Sequence, residues 1–414
     1  MRLRPDLIKL CSMLDLSSTD QEMLSGSCGE GPRFAMETLV SIGKAYGASR
    51  FIDIEWAHVA SAYCHTQANI DFAKRLTEWG TKVSVPTTLT SCSFDPRKPT
   101  GNNASAAELV ALYKGMGCEP ILSCAPYHTR QEPEFGAQLA WCESSAVVYA
   151  NSVLGARTNR YVEFIDMCAA ITGRVPEFGL HQAANRKATV VFDLHDMPED
   201  WIADEWMFHS LGILVGSQSG NQVPAINGLN ADTTIEQLRA LGSAAASSGS
   251  VSMFHAVGIT PEAATLDAAC QDVPPQMLID IGPADISAAA ASLCSKTNDE
   301  VTAICVGAPH FSIAEFRGLA RLLDGRQVRK RLVASTSATT LGQLHESGLS
   351  RELEQSGVEF VTGRCTYYRP IAADLGRHVM TNSAKWAWYA PSDLGVAVTF
   401  ASLSDCVERV CGDE

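Results

Sequence analysis

The sequence predicts an α/β fold in which most of the sheet is parallel. Short apolar segments with strand character alternate with segments of helical periodicity, as in the series 51–54, 68–79 and 82–89. Several strand candidates are followed directly by polar, turn-forming residues. This alternation is typical of parallel strands joined by crossover helices. With 414 residues, 46% of them hydrophobic, the chain is long enough for one large or two ordinary domains.

The first half of the chain is predicted to contain helices and strands in alternation. Two helices between residues 20 and 46 flank a glycine-rich joint at 26–32, and apolar residues recur at a helical period in the second. The elements that follow are a strand at 51–54, a helix at about 68–79, a strand at 82–89, a helix at 102–117 capped by Ser105 or Asn103, a strand at 120–123, a helix at about 135–149, a loop at 155–160 and a helix carrying residues 164–171.

The second half continues in the same way. The predicted elements are a strand at 189–194, an apolar stretch at 211–215, a close-packed helix and strand in the Ala/Ser/Gly-rich segment 240–252, a strand and helix start at 251–261, an Ala/Ser-rich helix and loop at 267–297, a strand at 301–307, a helix at 313–323, a strand at 331–335, a further helix, and strands at 358–361 and 396–400. No short repeat is present, so repeat architectures are not expected.

The charge and cysteine content exclude several classes of protein. The net charge is −14 without any run of Lys or Arg, so a nucleic-acid surface is not expected. No apolar run reaches the roughly 20 residues of a membrane helix, and the first residues lack the apolar core of a secretory signal. Fourteen irregularly spaced cysteines are typical of free thiols in a cytoplasmic protein, and the absence of Cys-x-x-Cys disfavours a zinc ribbon.

Three strand-end segments are similar in plan. Cys124, His310 and Cys365 each follow a predicted buried strand and precede a turn. Open α/β sheets bind ligands at the carboxyl ends of their strands, where a thiolate can hold iron. The alternatives are buried free cysteines and a hydrogen-bonded core histidine, which are the commoner states of these residues.

Two motifs identify the family that this chain resembles. Residues 144–160 read Ser-Ser-Ala-Val-Val-Tyr-Ala-Asn-Ser-Val-Leu-Gly-Ala-Arg-Thr-Asn-Arg, and residues 379–385 read Val-Met-Thr-Asn-Ser-Ala-Lys. They resemble the large subunit of aconitase X, a branch of the aconitase superfamily, and the resemblance runs from Cys28 to Cys406. It implies aconitase-like three-layer α/β/α units with mostly parallel sheets. It also implies one catalytic region over 1–414, built from two or three α/β subdomains.

The resemblance implies a metal centre with one departure from the family pattern. Cys124 and Cys365 match ligands of a cluster or of a single iron ion in aconitase X relatives. Archaeal members have a third cysteine where this chain has Ala308. A three-cysteine cubane is therefore in doubt, and a [2Fe–2S] cluster is favoured, with mononuclear iron as the other possibility. Cys28, Cys64, Cys305 and His310 are all open as the replacement ligand.

The expected site residues lie in and around the two motifs. Arginine forks bind carboxylates and asparagine binds hydroxyl groups, so the expected substrate-binding residues include Arg157, Asn159 and Arg160. The other expected substrate-binding residues are Thr87, Thr88, Ser383 and Asp166, and the expected catalytic residues are Ser144, Ser145, Lys385 and His310. The alternatives are a structural loop arginine, helix packing by the serines, turn chemistry at the threonines and a solvated lysine. Glu30 is a possible general acid or a cap, and His58 a core histidine.

Aconitase X enzymes are hydro-lyases, so the resemblance implies removal of water next to a carboxylate. In the family the base is a serine on a small swivelling domain, which is fused or a separate subunit. No trace of it is found here, so a separate small partner is expected, with the active site between the two chains.

The segment 160–168 resembles bacterial members that dehydrate cis-3-hydroxy-L-proline to an enamine that becomes pyrroline-2-carboxylate. Asp166 or Glu163 is the expected partner of the ring ammonium. The alternatives are a dehydratase of mevalonate 5-phosphate or another hydroxy acid, a non-catalytic iron–sulfur sensor, and a structural subunit whose partner holds the chemistry.

Overall fold

Three successive sections of the chain each build a parallel sheet. The computed structural model of the protein describes residues 14–61, 66–93, 104–297, 299–368 and 375–412. All the paired strands in the three sheets are parallel, and one two-stranded antiparallel ribbon joins the first section. The predicted α/β fold with mostly parallel sheets is confirmed. None of the helices within the described ranges combines the length and apolar character that crossing a membrane requires.

The first section contains a three-stranded sheet of order β3-β2-β4 and the antiparallel ribbon β1-β5. Its strands are β1 (Phe51–Asp53), β2 (Trp56–Val59), β3 (Thr87–Leu89), β4 (Leu139–Trp141) and β5 (Arg174–Pro176). Its helices are α1 (Ser18–Ser25), α2 (Glu30–Tyr46), α3 (Gln67–Glu78), α4 (Ala104–Gly115), α5 (Ser144–Ser152) and α6 (Ile165–Thr172), with 3-10 turns at Pro126–His128, Gly179–His181 and Ala183–Arg186.

The second section has a four-stranded sheet of order β8-β7-β6-β9. Its strands are β6 (Val190–Leu194), β7 (Pro224–Asn227), β8 (His255–Ala256) and β9 (Met277–Ile281). Its helices are α7 (Glu199–Ala203), α8 (Glu205–Ser219), α9 (Ile235–Ser248), α10 (Leu266–Ala269) and α11 (Pro283–Ser292).

The third section has a five-stranded sheet of order β12-β11-β10-β13-β14. Its strands are β10 (Ala303–Val306), β11 (Arg331–Thr336), β12 (Val358–Thr362), β13 (His378–Thr381) and β14 (Ala397–Phe400). Its helices are α12 (Ile313–Leu323), α13 (Ala338–Ser347), α14 (Leu349–Gln355), α15 (Ala384–Leu394) and α16 (Leu403–Cys411). β10 is the central strand of this sheet, so the residues that follow it lie at the middle of the edge formed by the carboxyl ends of the strands.

The Ala/Ser/Gly-rich segment after residue 240 forms a close-packed helix, as its composition predicts. In α8, a Cβ atom built on Gly212 would lie 2.4 Å from the Leu241 carbonyl oxygen, and one on Gly216 would lie 2.5 Å from that of Ala245. Real Cβ atoms do not approach so closely, so both positions require glycine. The small residues of α8 and α9 therefore let the two backbones touch. The strand predicted at the end of this segment is reduced to the two residues of β8.

Two predicted elements in the first section are wrong. Residues 120–123 form no strand: the segment makes only an isolated bridge from Glu119 to Thr88, and Leu122 has a positive φ of 46° that ends extended pairing. Residues 135–143 form no helix, because Leu139–Trp141 pairs with β2 as strand β4. These outcomes depend on pairing between distant segments, which local composition does not encode.

Smaller differences occur elsewhere. Strand β3 begins only at Thr87, so residues 82–86 are not strand, and the segment after β8 turns without starting a helix. No strand was predicted at the positions of strands β2, β5, β7, β9 and β13, and no helix at those of helices α7, α15 and α16. The proposed cap Asn103 lies outside the described residues, and Ser105 lies inside α4 rather than before it.

One buried arginine joins the three sections. Arg239 of α9 donates from Nη2 to Glu315 of α12, and its Nη1 lies 3.0 Å from His128 Nε2 of the first section. Glu315 Oε2 also accepts from the Ser312 amide at 2.6 Å, at the start of α12. Burial, together with the charge of the nearby Glu315, raises the pKa of the neighbouring Glu205 to about 8. The Arg239 guanidinium therefore neutralises the buried Glu315 carboxylate at the start of α12, the helix that follows the loop carrying His310.

We expect Arg239→Met to lower the free energy of unfolding by about 3–5 kcal/mol, because it leaves Glu315 buried without its cation. The measurement is urea unfolding followed by tryptophan fluorescence. The matched control is Arg75→Met, which removes an ion pair to Glu78 whose side chains are both more than 60% exposed. That change should cost at most about 1 kcal/mol. Equal losses in the two variants would show that the buried pair has no special role.

Candidate active site

Three side chains that could hold a metal meet at one place. Cys124 follows the 120–123 segment, His310 follows β10 and Cys365 follows β12, and all three are buried. Their ligand atoms lie within 4.8 Å of one another. The His310 amide donates to Cys124 Sγ at 3.2 Å. The first and third sections of the chain therefore contribute jointly to one Cys/His/Cys cluster.

The hydrogen bonds of His310 determine which ring nitrogen is available. Nε2 lies 3.1 Å from the Arg364 carbonyl oxygen, and Nδ1 lies 3.2 Å from Ser123 Oγ. A carbonyl can only accept, so in the neutral ring Nε2 carries the proton and Nδ1 has the lone pair. The Ser123 hydroxyl therefore donates to Nδ1, and its oxygen accepts from the Ala125 amide at 3.1 Å. The cluster thus offers two sulfurs and one imidazole nitrogen, a donor set that fits iron–sulfur chemistry.

The thiols of Cys124 and Cys365 shift each other's pKa. A hydrogen bond between the two thiols lowers the pKa of Cys365 and raises the pKa of Cys124. Burial opposes ionisation of both thiols. The positive charge of Lys385 favours the thiolate form of Cys365. The other candidate ligands lie elsewhere or cannot be placed. Cys28 is exposed, Cys305 is buried inside strand β10, and Cys64 lies outside the described residues.

A cavity of about 200 Å³ opens beside this cluster. Four charged residues line it, and they are Glu143, Arg160, Glu163 and Lys385. Its other lining residues are three tyrosines, two serines and small neighbours, namely Tyr367, Tyr368, Tyr389, Ser91, Ser144, Ala60, Thr90, Cys142 and Val162. Tyr367 links the two features, because its hydroxyl interacts with the Cys365 thiol.

Lys385 is the most constrained charged group of the cavity. It is 2% exposed, and its Nζ donates to Glu143 Oε1 at 2.6 Å and to Ser145 Oγ at 2.8 Å. Burial alone would lower its pKa, but Glu143, followed by the two cysteines, raises the pKa above the ordinary lysine value. The ammonium form is therefore stable at the cavity wall.

Glu143 and Ser383 position Lys385, and each of them caps the N-terminus of a helix, α5 and α15 respectively. Glu143 Oε2 accepts from the Ala146 amide at 2.9 Å, at the start of α5. Burial opposes ionisation of Glu143, but Lys385 outweighs burial and lowers its pKa. Ser383 Oγ accepts from the Trp386 amide at 3.1 Å and donates to the Ala308 carbonyl. Ser383 therefore orients α15 and its lysine and does not line the cavity.

Of the three polar residues Arg157, Asn159 and Arg160, one lines the cavity and two bond to the backbone of a neighbouring segment. Arg160 lines the cavity, and its guanidinium makes no hydrogen bond or ion pair within the described ranges. Arg157 donates to the His181 carbonyl at 3.2 Å. Asn159 donates to the Phe178 carbonyl and accepts from the Leu180 amide. In this structure the side chains of Arg157 and Asn159 hold the 178–181 segment, and neither lines this cavity.

The remaining predicted residues have structural partners. Thr87 Oγ1 donates to the Val85 carbonyl, and Thr88 Oγ1 accepts from Trp56 Nε1 at 2.9 Å, so neither lines the cavity. His58 is a hydrogen-bonded core histidine between Thr88 and the Ser123 carbonyl. Glu30 is exposed and pairs with Arg33.

Asp166 lies behind the cavity wall, and Glu163 lines it. Asp166 accepts from the Ala60 and Met167 amides, both at 2.7 Å. Burial raises its pKa to about 7, although these amides favour the charged form. Of the two residues expected to meet a substrate ammonium, only Glu163 is part of the cavity lining. Asp166 instead supports the backbone of Ala60.

Sequence reasoning assigned no role to Glu143 or to the three tyrosines. Glu143 directly precedes the Ser144–Ser145 motif, and its position before a helix was a usable signal for a cap. Tyr389 lies one helical turn after Lys385, so the two share a face of α15. No local signal marks Tyr367 and Tyr368, which reach the cavity from the loop after β12.

Comparison with protein families gives one consistent match. The first, second and third domain models of aconitase X match residues 13–184, 188–291 and 301–412. The boundaries of these models follow the three sections described above, each with its own parallel sheet.

The similar proteins carry two different names. The chain is 37% identical to proteins named cis-3-hydroxy-L-proline dehydratase from Pseudomonas aeruginosa and Hypocrea jecorina, covering 96% of this chain and 70% and 69% of those proteins. It is 34% identical to the phosphomevalonate dehydratase large subunit of Thermococcus kodakarensis, covering 95% of this chain and 99% of that one.

A solved structure agrees with the fold. The crystal structure of aconitase X from Thermococcus kodakaraensis in its holo-form superposes with a TM-score of 0.86 at 32% identity, covering 96% of this chain and all of that one.

Proposed function

The chain belongs to the aconitase X family, and we propose that it is the catalytic chain of a hydro-lyase that dehydrates cis-3-hydroxy-L-proline to pyrroline-2-carboxylate. The observation that carries the proposal is the buried Lys385–Glu143 pair at the wall of a cavity that adjoins the Cys/His/Cys cluster. The relatives with 37% identity are named for this dehydration.

The reaction removes the proton next to the carboxylate and releases the 3-hydroxyl group as water. Since the Arg160 guanidinium has no partner among the described residues, it can bind the carboxylate with its fork of N–H donors. As the α-proton leaves, negative charge develops on that carboxylate, and a fixed cation in a partly dry cavity stabilises such charge more strongly than water does. Lys385 is that cation, because Glu143 and Ser145 hold its Nζ in one position.

An iron centre fits the cluster formed by Cys124, His310 and Cys365. When bound, it supplies a Lewis acid that favours departure of hydroxide. We favour a [2Fe–2S] cluster over a cubane, since the described residues bring together only two thiols at this place. Mononuclear iron is the other possibility that two sulfurs and one imidazole allow.

A small partner subunit completes the proposed enzyme. Relatives from archaea are named large subunits, which implies a small one. The cavity opens to solvent at Arg160 and Val162, so a second chain has access to the bound substrate from that side. In the proposal this partner supplies the group that takes the α-proton.

Phosphomevalonate dehydration is the second candidate. The supporting observation is the set of archaeal large subunits, which are 30–34% identical to this chain over more than 90% of its length. Both candidates are hydro-lyase reactions, so the same residues would bind iron and carboxylate in either case.

The test is an anaerobic assay of the chain co-expressed with its small partner, offered each hydroxy acid separately at equal concentration. We expect loss of water from cis-3-hydroxy-L-proline and little or none from mevalonate 5-phosphate. The iron content is measured on the same sample, so an empty site is recognised. Turnover confined to the phosphorylated acid by an iron-loaded complex would transfer the assignment to the second candidate.

A further inference from the structure

We propose that the cavity recognises the ring ammonium of its substrate through Glu163 and the three tyrosines, so that it selects cyclic amino acids over neutral or phosphorylated hydroxy acids. This inference rests on the proposed function, since it names the groups that read the substrate of that same site.

The charges of the described lining match a zwitterion. Lys385 and Glu143 neutralise each other through their 2.6 Å contact. Arg160 and Glu163 remain, with one positive and one negative charge and no ion pair between them. A ligand with one carboxylate and one ammonium satisfies both. A ligand without the ammonium leaves Glu163 facing its apolar ring, which costs binding free energy because a carboxylate is desolvated without compensation.

Glu163 lines the cavity with one of its two carboxylate oxygens already bonded. Its Oε2 accepts from Asn69 Nδ2 of α3 at 3.2 Å, which fixes the carboxylate. Its Oε1 has no hydrogen-bond partner within the described parts of the chain. A secondary ammonium has two N–H donors, so one can bond to this oxygen as a charge-assisted hydrogen bond.

The tyrosines provide an aromatic wall. The ring centroids of Tyr367 and Tyr368 are 4.3 Å apart and nearly edge-on, and those of Tyr367 and Tyr389 are 5.6 Å apart and stacked. The Tyr368 hydroxyl donates to that of Tyr367 at 3.0 Å, which holds both rings in place. Ring faces attract ammonium groups and pack against the methylene groups of a five-membered ring. Among the described residues, the wall formed by the three tyrosines offers only their hydroxyl groups as hydrogen-bond donors to the three oxygens of a phosphate.

The test compares two ligands that differ only in the ring atom. L-proline has the ring ammonium and lacks the leaving hydroxyl, whereas (S)-tetrahydrofuran-2-carboxylate has a neutral ring oxygen. Affinities are measured by titration calorimetry on the assembled complex. We expect the wild-type complex to prefer L-proline at least about 10-fold, as for a hydrogen bond to a charged group.

Variants separate the contributions of the cavity residues. Glu163→Gln should abolish the preference, and it should raise KM for cis-3-hydroxy-L-proline about 10-fold or more with a smaller effect on kcat. Arg160→Gln should weaken both ligands alike, because both carry the carboxylate. Asp166→Asn should keep the preference, since Asp166 bonds to backbone amides behind the wall.

Each other outcome has a definite meaning. Equal wild-type affinity for the two ligands, binding of neither, or an unchanged preference in Glu163→Gln overturns the inference, even if hydroxyproline is turned over. A preference that disappears in Glu163→Gln in a complex that never dehydrates hydroxyproline supports the inference and refutes the proposed reaction.

Discussion

Replacing Lys385 with methionine is expected to lower kcat of the assembled complex about 100- to 1,000-fold, the usual effect of removing one group that stabilises transition-state charge. Lys385 is a buried cation that lines the cavity and interacts electrostatically with both cysteines of the cluster. The substitution removes the ammonium group that stabilises the negative charge developing on the substrate carboxylate in the transition state. The measurement is steady-state turnover of cis-3-hydroxy-L-proline with the iron content held equal.

The single variant also leaves Glu143 buried without a partner, which destabilises the fold. The double variant Lys385→Met with Glu143→Gln removes both charges and should fold better than the single one, yet it should remain inactive. Lys74→Met is the matched control, since Lys74 is an exposed helix lysine paired with Glu108.

Wild-type turnover in the double variant would refute the role of Lys385. That result would favour a structural subunit whose partner holds the chemistry. An alanine at Arg157 is a weaker test of that alternative than sequence reasoning suggests, because Arg157 bonds to the His181 carbonyl outside the cavity.

Serine at Cys124 or at Cys365 is expected to reduce bound iron in the anaerobically purified complex to less than about a tenth of the wild-type ratio, because each change removes one of two sulfur ligands. His310→Ala should weaken retention of iron about 10- to 100-fold, by loss of the Nδ1 ligand and of the Nε2–H bond to the Arg364 carbonyl that orients the ring. Iron is measured per folded chain, and the visible absorption spectrum is recorded as an independent readout.

Cys305→Ser is the matched control for these variants. Cys305 is also buried and belongs to β10, the strand that leads to His310, yet it is not part of the cluster. It should keep wild-type iron. An iron content that is unaffected at Cys124 and Cys365, or reduced equally at Cys305, would show that the centre is bound elsewhere. Such a result would leave the fold assignment intact.

The sequence by itself predicted the fold class because its signals are local. Helix α12 was predicted at 313–323 and is observed at Ile313–Leu323, with a Ser312/Glu315 capping box that fixes its start. Strand β10 is a continuous apolar run, which is typical of a strand covered on both faces. The motifs that contain Ser144 and Lys385 also indicate the family, because each is a continuous run of residues that can be recognised without any tertiary contact.

Tertiary structure decided which of the candidate residues meet. Cys124, His310 and Cys365 are far apart in the chain, and they converge because the loop that carries Cys124 in the first section packs against the ends of β10 and β12 in the third. The same packing buries Lys385 against Glu143, and it separates Arg160 and Glu163, which line the cavity, from Arg157, Asn159 and Asp166, which bond to backbone groups. Hydrogen-bond partners that are distant in sequence leave no local pattern. The sequence therefore determined which residue types were available, and the folded chain determined which of them face the cavity.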